Sequence, residues 1–101
     1  MGRDLRKLAE GQDCKIRLPG ICNHDRATTI LAHFRMVGIS GLGLKSPDLI
    51  AAHACSSCHD AADRRSHTEL ELDYVRLAHL EGMARTLAWL IKNGHIEDSG
   101  K

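Results

Sequence analysis

The chain has 101 residues, which fits one domain with a modest core that a structural metal would help to hold. A formal net charge of +1 gives no global basic signal for nucleic acid, and with one each of Phe34, Tyr74 and Trp89 the core must come mainly from Leu, Ile, Ala, Val and Met. No apolar run approaches the roughly 20 residues that span a bilayer, and the opening stretch MGRDLRKLAEGQDC lacks the apolar segment of a secretion signal. A cytoplasmic protein with reduced thiols is expected, and a disulfide-stapled secreted domain is disfavoured.

Taken in order, Arg3 to Glu10 predicts a short helix, with Leu5 and Leu8 as its apolar contacts and Gly11 as its stop. Between Asp13 and Leu18 the chain alternates, Cys14, Ile16 and Leu18 against Asp13, Lys15 and Arg17, which predicts a short half-buried strand. Pro19-Gly20 turns the chain back to Ile21-Cys22, so Cys14 and Cys22 flank a hairpin-like loop. Asn23 to Arg26 reads as polar loop. Thr28 to Phe34, TTILAHF, reads as a strand ending near His33. Met36 to Ser46 holds Gly38, Gly41 and Gly43 and reads as an ordered loop without the GxxxxGKS pattern of a phosphate-binding loop.

A second strand is expected from Leu49 to Ala54, followed by a Cys55-Ser-Ser-Cys58 knuckle and a helix to about Arg65. From about Glu69 the period changes. Leu72, Val75, Leu80, Met83, Leu87, Leu90 and Ile91 recur at helical spacing to Asn93, with Gly94 as a C-cap. Gly82 weakens that helix by about 1 kcal/mol relative to Ala and marks a break or a close helix contact. The whole is read as a single domain, 1–101, with a core at about 13–67, a packing helix at about 69–93 and a fraying tail from Glu97. Basic residues crowd the N-terminal end (Arg3, Arg6, Lys7, Lys15, Arg17) and Arg64-Arg65, while acidic ones gather later, so a small basic face is weakly supported.

Four cysteines fall into two separated pairs, Cys14-x7-Cys22 and Cys55-x2-Cys58. Two such pairs closing one tetrahedral zinc is the favoured reading, against four unrelated buried thiols. His24 stands close to Cys22 as a reserve ligand, and His59 is an alternative to one of the cysteines. The order of pieces is strand ending in His33, glycine-rich loop, strand, knuckle, and a helix opened by His59 with Asp63 one turn later on the same face. One neutral histidine near a scissile phosphate can take a proton from water. A second can hold a divalent cation that offsets the charge building on the phosphate. Phosphodiester hydrolysis needs little more. Singly, each residue has a plainer role: His33 as a buried strand histidine, His53 as a surface or core residue, Asp60 at a helix N-terminus, and Arg64 and Arg65 as a solvated helix end.

The pattern LAHFR…PDLIAAHACSSCHDAADRR resembles the HNH, or ββα-metal, nucleases. The segments DLRKLAEGQDC, RLPGICN, LAHFR, PDLIA, CSSCHDAADRR and LEGMART, over nearly the full length, look more closely like the small prophage-encoded YbcO-type nucleases. That resemblance implies an α+β fold, a zinc-stapled ββα-metal core with a long C-terminal packing helix. It also implies structural Zn²⁺ on Cys14, Cys22, Cys55 and Cys58, a separate catalytic cation such as Mg²⁺, and DNA as substrate. Within it, His33 matches the general base and His59 the first helix metal ligand. Asp63 falls where many relatives carry a second helix histidine, and a carboxylate there suits Mg²⁺ or Mn²⁺. Asp48 lies near the place of the family's middle Asn, and the ligand set extends to His67. Ala32 departs from the pattern, since relatives commonly have an Asp or His ligand there. Arg35, Arg64 and Arg65 are the expected phosphate contacts.

The leading expectation is a metal-dependent DNA endonuclease that serves phage or prophage DNA processing. The runner-up is a non-catalytic zinc-binding module that binds DNA or protein, which Ala32 favours. A small domain that cuts both strands must dimerise or act twice, and the helix from Tyr74 to Ile91 is the expected homodimer interface.

Overall fold

The computed structural model describes residues 4–36, 47–64 and 68–96. Its centre is a two-stranded antiparallel sheet. Strand β1 (Ile30–His33) pairs with β2 (Ala51–Ala54), setting Ile30 against Ala54, Leu31 against His53, Ala32 against Ala52 and His33 against Ala51. One further bond, from the Phe34 N–H to the Ile50 carbonyl at 2.9 Å, continues the pairing beyond β1. Both strands lie inside the expected stretches and are shorter than them. A single 3₁₀ turn, Arg26–Thr28, takes the front of the first stretch, because the Asp25 carboxylate accepts the Ala27 N–H at 3.0 Å and bends the chain.

Helix α1 (Leu5–Ala9) is one turn rather than the expected two. The Asp4 carboxylate caps it, accepting the N–H groups of Arg6 and Lys7 at 3.1 and 3.4 Å. Positions four apart share a helix face, so Leu5 and Ala9 pack on Leu31 and Ala51, and Ala9 takes the part expected of Leu8. The opposite sheet face, Ala32, Ala52 and Ala54, is covered by Cys58 and Ala61 of helix α2 (Ser56–Ala62) and Val75 of helix α3 (Leu72–Lys92). All of β2 is buried, and its three alanines let helices approach closely.

Helix α3 ends as its sequence implies, with Asn93 at the cap and Gly94 at φ 75° beyond it. It runs unbroken through Gly82, where a Cβ would lie 3.0 Å from Ile16 Cγ1 and 3.1 Å from the Lys15 carbonyl oxygen. The glycine is there for that approach. The buried stripe of α3 is Val75, His79, Gly82, Thr86 and Leu90. Leu72, Tyr74, Leu77, Leu80 and Ile91, which supply much of the apolar signal in the sequence, are exposed. Two polar residues can sit in the stripe because their hydrogen bonds are satisfied. His79 Nε2 donates to the Ala32 carbonyl at 2.9 Å. The Thr86 hydroxyl donates to the Gly82 carbonyl at 2.8 Å and accepts the His53 N–H at 3.0 Å.

The stretch from Asp13 to Leu18 is not a strand. Its Lys15 N–H reaches the His53 carbonyl at 2.8 Å, but Arg17 turns to φ 58° and ends any extension. Lys15, expected on an outer face, is buried. Its ammonium lies 3.1 Å from Asp13 Oδ1, 3.1 Å from His53 Nδ1 and 5.5 Å from the centre of the Trp89 ring. An ammonium can only donate, so His53 Nδ1 accepts and the ring hydrogen is on Nε2. Burial first, and the Lys15 charge second, hold the fully buried His53 down to a pKa of about 4. The expectations for the glycine-rich loop, for Arg65 and His67, and for the tail lie outside the described residues. Among the described residues no helix is long and apolar enough to cross a membrane.

Candidate functional site

Two clusters occupy the two ends of α2. At its start, the sulfurs of Cys14, Cys22, Cys55 and Cys58 all lie within 4.8 Å of one another, with Cys22 and Cys55 at 3.8 Å. A tetrahedral zinc with bonds of about 2.3 Å sets its sulfurs about 3.8 Å apart, so the donor set fits that ion. All four are free thiols. Backbone amides already point at the sulfurs: Arg17 N–H to Cys14 and Cys58 N–H to Cys55 at 3.4 Å, Leu18 N–H to Cys58 at 3.4 Å, and Asn23 N–H to Cys55 at 3.5 Å. Arg17 and His24, both in the left-handed region, make the turns that allow this.

The protons in this cluster are shared unevenly. A hydrogen bond from Cys58 pulls Cys14 down to about 4, burial pushes Cys22 up to about 11, and donation to Cys14 pushes Cys58 up. Four adjacent thiolates repel one another, and a divalent cation is what offsets that repulsion. His24 Nδ1 stands 3.7 Å from Cys22 Sγ but is not part of the converging set, and neither is His59. Cys55 is the N-cap of α2, its sulfur accepting the Cys58 amide, so the helix starts at Ser56. His59 therefore lies inside the helix instead of opening it, and Asp60 falls beyond the first turn.

At the other end of α2 is a cleft of about 330 Å³. The end of β1 and the residues after it contribute His33, Phe34 and Arg35, the end of α2 contributes Asp63 and Arg64, and α3 contributes Val75, Arg76 and His79. His33 Nε2 bonds Asp48 Oδ1 at 2.7 Å, and that same oxygen is 4.0 Å from Arg6 Nε of α1. A carboxylate only accepts, so the His33 hydrogen is on Nε2 and Nδ1 carries the lone pair of the neutral ring. His59 Nε2 and Asp63 Oδ2, one turn apart, are 3.3 Å from each other and largely buried. His59 itself does not line the cleft and meets it through Asp63. Arg35 and Arg64 are exposed, while Ala32 is fully buried and offers only its carbonyl.

Sequence reasoning gave α3 only packing and dimer roles and so missed Arg76 and His79. The Arg76 guanidinium stacks 4.6 Å over Phe34, and the His79 ring meets Phe34 edge-on at 5.1 Å. Burial lowers the His79 pKa below the ordinary value, and His59 and Arg76 lower it further. The Ala32 carbonyl and Asp63 act in the other sense. A wheel that allowed polar residues into the core would have found His79, since Val75, His79 and Gly82 follow the i, i+4, i+7 spacing of one face.

Comparison with known proteins identifies the family of the chain. Residues 3–95 match the family model described as "Putative nuclease YbcO". The chain is 50% identical over 94 residues to the "Putative nuclease YbcO" of Escherichia coli strain K12, covering 93% of this chain and 97% of that protein. The same identity and coverage hold for the protein of that name from Enterobacteria phage 82. A solved structure described as a putative bacteriophage protein from E. coli K-12 superposes with a TM-score of 0.77 at 46% identity, covering 90% of this chain and all of that one. With matches of that extent, the chain belongs to the YbcO family.

Proposed function

We propose that the chain is a DNA endonuclease of the HNH type, with the cysteine corner as its zinc staple and the cleft as its catalytic centre. The observation that carries this reading is the His33–Asp48 bond at 2.7 Å beside a cleft walled by Arg35, Arg64 and Arg76. Asp48 fixes the tautomer, leaving Nδ1 of His33 to take a proton from water as its oxygen attacks phosphorus. The arginines hold phosphate oxygens, and the bond to the leaving oxygen breaks as the new one forms. His59 and Asp63, with His67 as the remaining candidate, would hold a divalent cation such as Mg²⁺ or Mn²⁺. When bound, that cation offsets charge on the phosphate and on the leaving oxygen. The relatives' names and the phage homologue support DNA as the substrate and phage DNA processing as the setting. Exposed Tyr74, Leu77, Leu80 and Ile91 support a homodimer through α3, and a monomer in sedimentation at micromolar concentration would count against it.

The test is plasmid nicking by zinc-loaded protein with added Mg²⁺, Mn²⁺ or Ni²⁺, wild type against His33→Ala. Cleavage that needs the added cation and is lost in the variant is the expected result. Zinc-loaded wild type that cuts neither supercoiled, branched nor single-stranded DNA would overturn the reading in favour of a zinc-stapled binding module.

A further inference from the structure

We infer that His79 is a third protein donor to the divalent cation of the cleft, so that the site spans α2 and α3. This rests on the cation site proposed above for His59 and Asp63 and adds a ligand from a helix otherwise devoted to packing. Two donors one turn apart on a single helix reach a cation from one side only. His79 lines the same cleft as Asp63 from the neighbouring helix. Its Nε2 bonds the Ala32 carbonyl at 2.9 Å, and a carbonyl only accepts, so the ring hydrogen is on Nε2. Nδ1 is therefore the lone-pair atom of the neutral ring, and no hydrogen-bond partner for it is found among the described residues. A ligating imidazole that gives its other N–H to a backbone carbonyl has its tautomer and orientation fixed in advance. The three side chains do not converge as the thiols do. His59 and Asp63 instead touch each other at 3.3 Å, a contact that a bound cation would replace.

The experiment titrates zinc-loaded wild type, His79→Gln and His59→Ala with Mn²⁺, following bound Mn²⁺ by its electron paramagnetic resonance. Glutamine keeps a donor for the Ala32 carbonyl while removing the ring nitrogen. One Mn²⁺ per wild-type chain is expected, held at least about tenfold more weakly by His79→Gln and lost in His59→Ala. If His79→Gln binds like wild type while His59→Ala does not, His79 is not a ligand and the His59–Asp63 site stands. Absence of Mn²⁺ binding in wild type, or unchanged binding in His59→Ala, overturns both. If His79→Gln does not fold, nitrogen NMR of wild type decides. A second equivalent of Zn²⁺ should move the Nδ1 resonance of His79 with that of the His59 ring, and movement of His59 alone would refute the assignment.

Discussion

Helix α2 carries the cysteine corner at its first residues and the cleft at its last, and the two ends differ in how far their donors are gathered. At Cys55 and Cys58 the sulfurs are buried, converged and addressed by backbone amides. At Asp63 and Arg64 the groups face an open cleft, and the histidines there already have partners: Asp48 for His33, Asp63 for His59, the Ala32 carbonyl for His79. A converged, buried set of thiolates needs a permanent cation. Separate donors, each satisfied on its own, tolerate the absence of one and can exchange it. The first arrangement suits a staple and the second suits turnover.

That contrast breaks most sharply under metal removal. Strong chelation, or Cys58→Ser, should unfold the chain, because structural zinc in small sites contributes on the order of 10 kcal/mol, as much as a small domain's whole stability. His33→Ala should leave the melting temperature within a few degrees. Circular dichroism alongside zinc content checks both, and a metal-free protein that stays folded would erase the distinction.

A smaller effect comes from pH. His53 is held neutral with a pKa of about 4, against about 6.5 in an unfolded chain. Between those values the unfolded state binds more protons, so stability present above pH ~6.5 is lost as pH falls toward 4, by at most about 3 kcal/mol. The lowered pKa of His79 acts in the same direction. Urea unfolding of zinc-saturated protein at pH 7 and 5 should show the loss, and His53→Asn should flatten it.

Gly82→Ala sharpens the packing side of the comparison. On an exposed helix it would gain about 1 kcal/mol, but here the added methyl meets Ile16 and the Lys15 carbonyl, so a net loss of about 1–2 kcal/mol is expected by urea unfolding. Smallest in stability is Arg76→Ala, at about 0.5–1 kcal/mol for the lost stacking on Phe34. Its effect belongs in binding: DNA affinity should weaken evenly across sequences, with the salt slope smaller by about 1.

The cysteine corner was legible in the sequence because pair spacing and thiol chemistry leave few alternatives, and the amides aimed at the sulfurs follow from the short turns. The two strands and α3 were legible from pattern, down to where they end but not where they start, since an Asp25 side chain was enough to convert the front of one stretch into a turn. Alternation placed Lys15 outside because it cannot register an ammonium buried against His53 and paired with a half-exposed Asp13. For α3, counting apolar residues favoured Leu72, Leu80 and Ile91, which are exposed, whereas the buried stripe is chosen by what β1 and β2 offer: a carbonyl for His79 and a backbone N–H for Thr86. Those bonds join residues far apart in the chain, and no local pattern encodes them. The same is true of Asp48, which spacing placed only loosely and which stands 2.7 Å from His33.

The most direct test is a staged dialysis of the holo-protein, first against a weak chelator and then a strong one, with metal content, circular dichroism and plasmid nicking read at each stage. The weak step should remove all cleavage while one zinc per chain and the fold remain, and added Mn²⁺ should restore cutting. Cleavage that survives the weak step and disappears only with the zinc would place the chemistry at the cysteines and contradict the division between the two ends of α2.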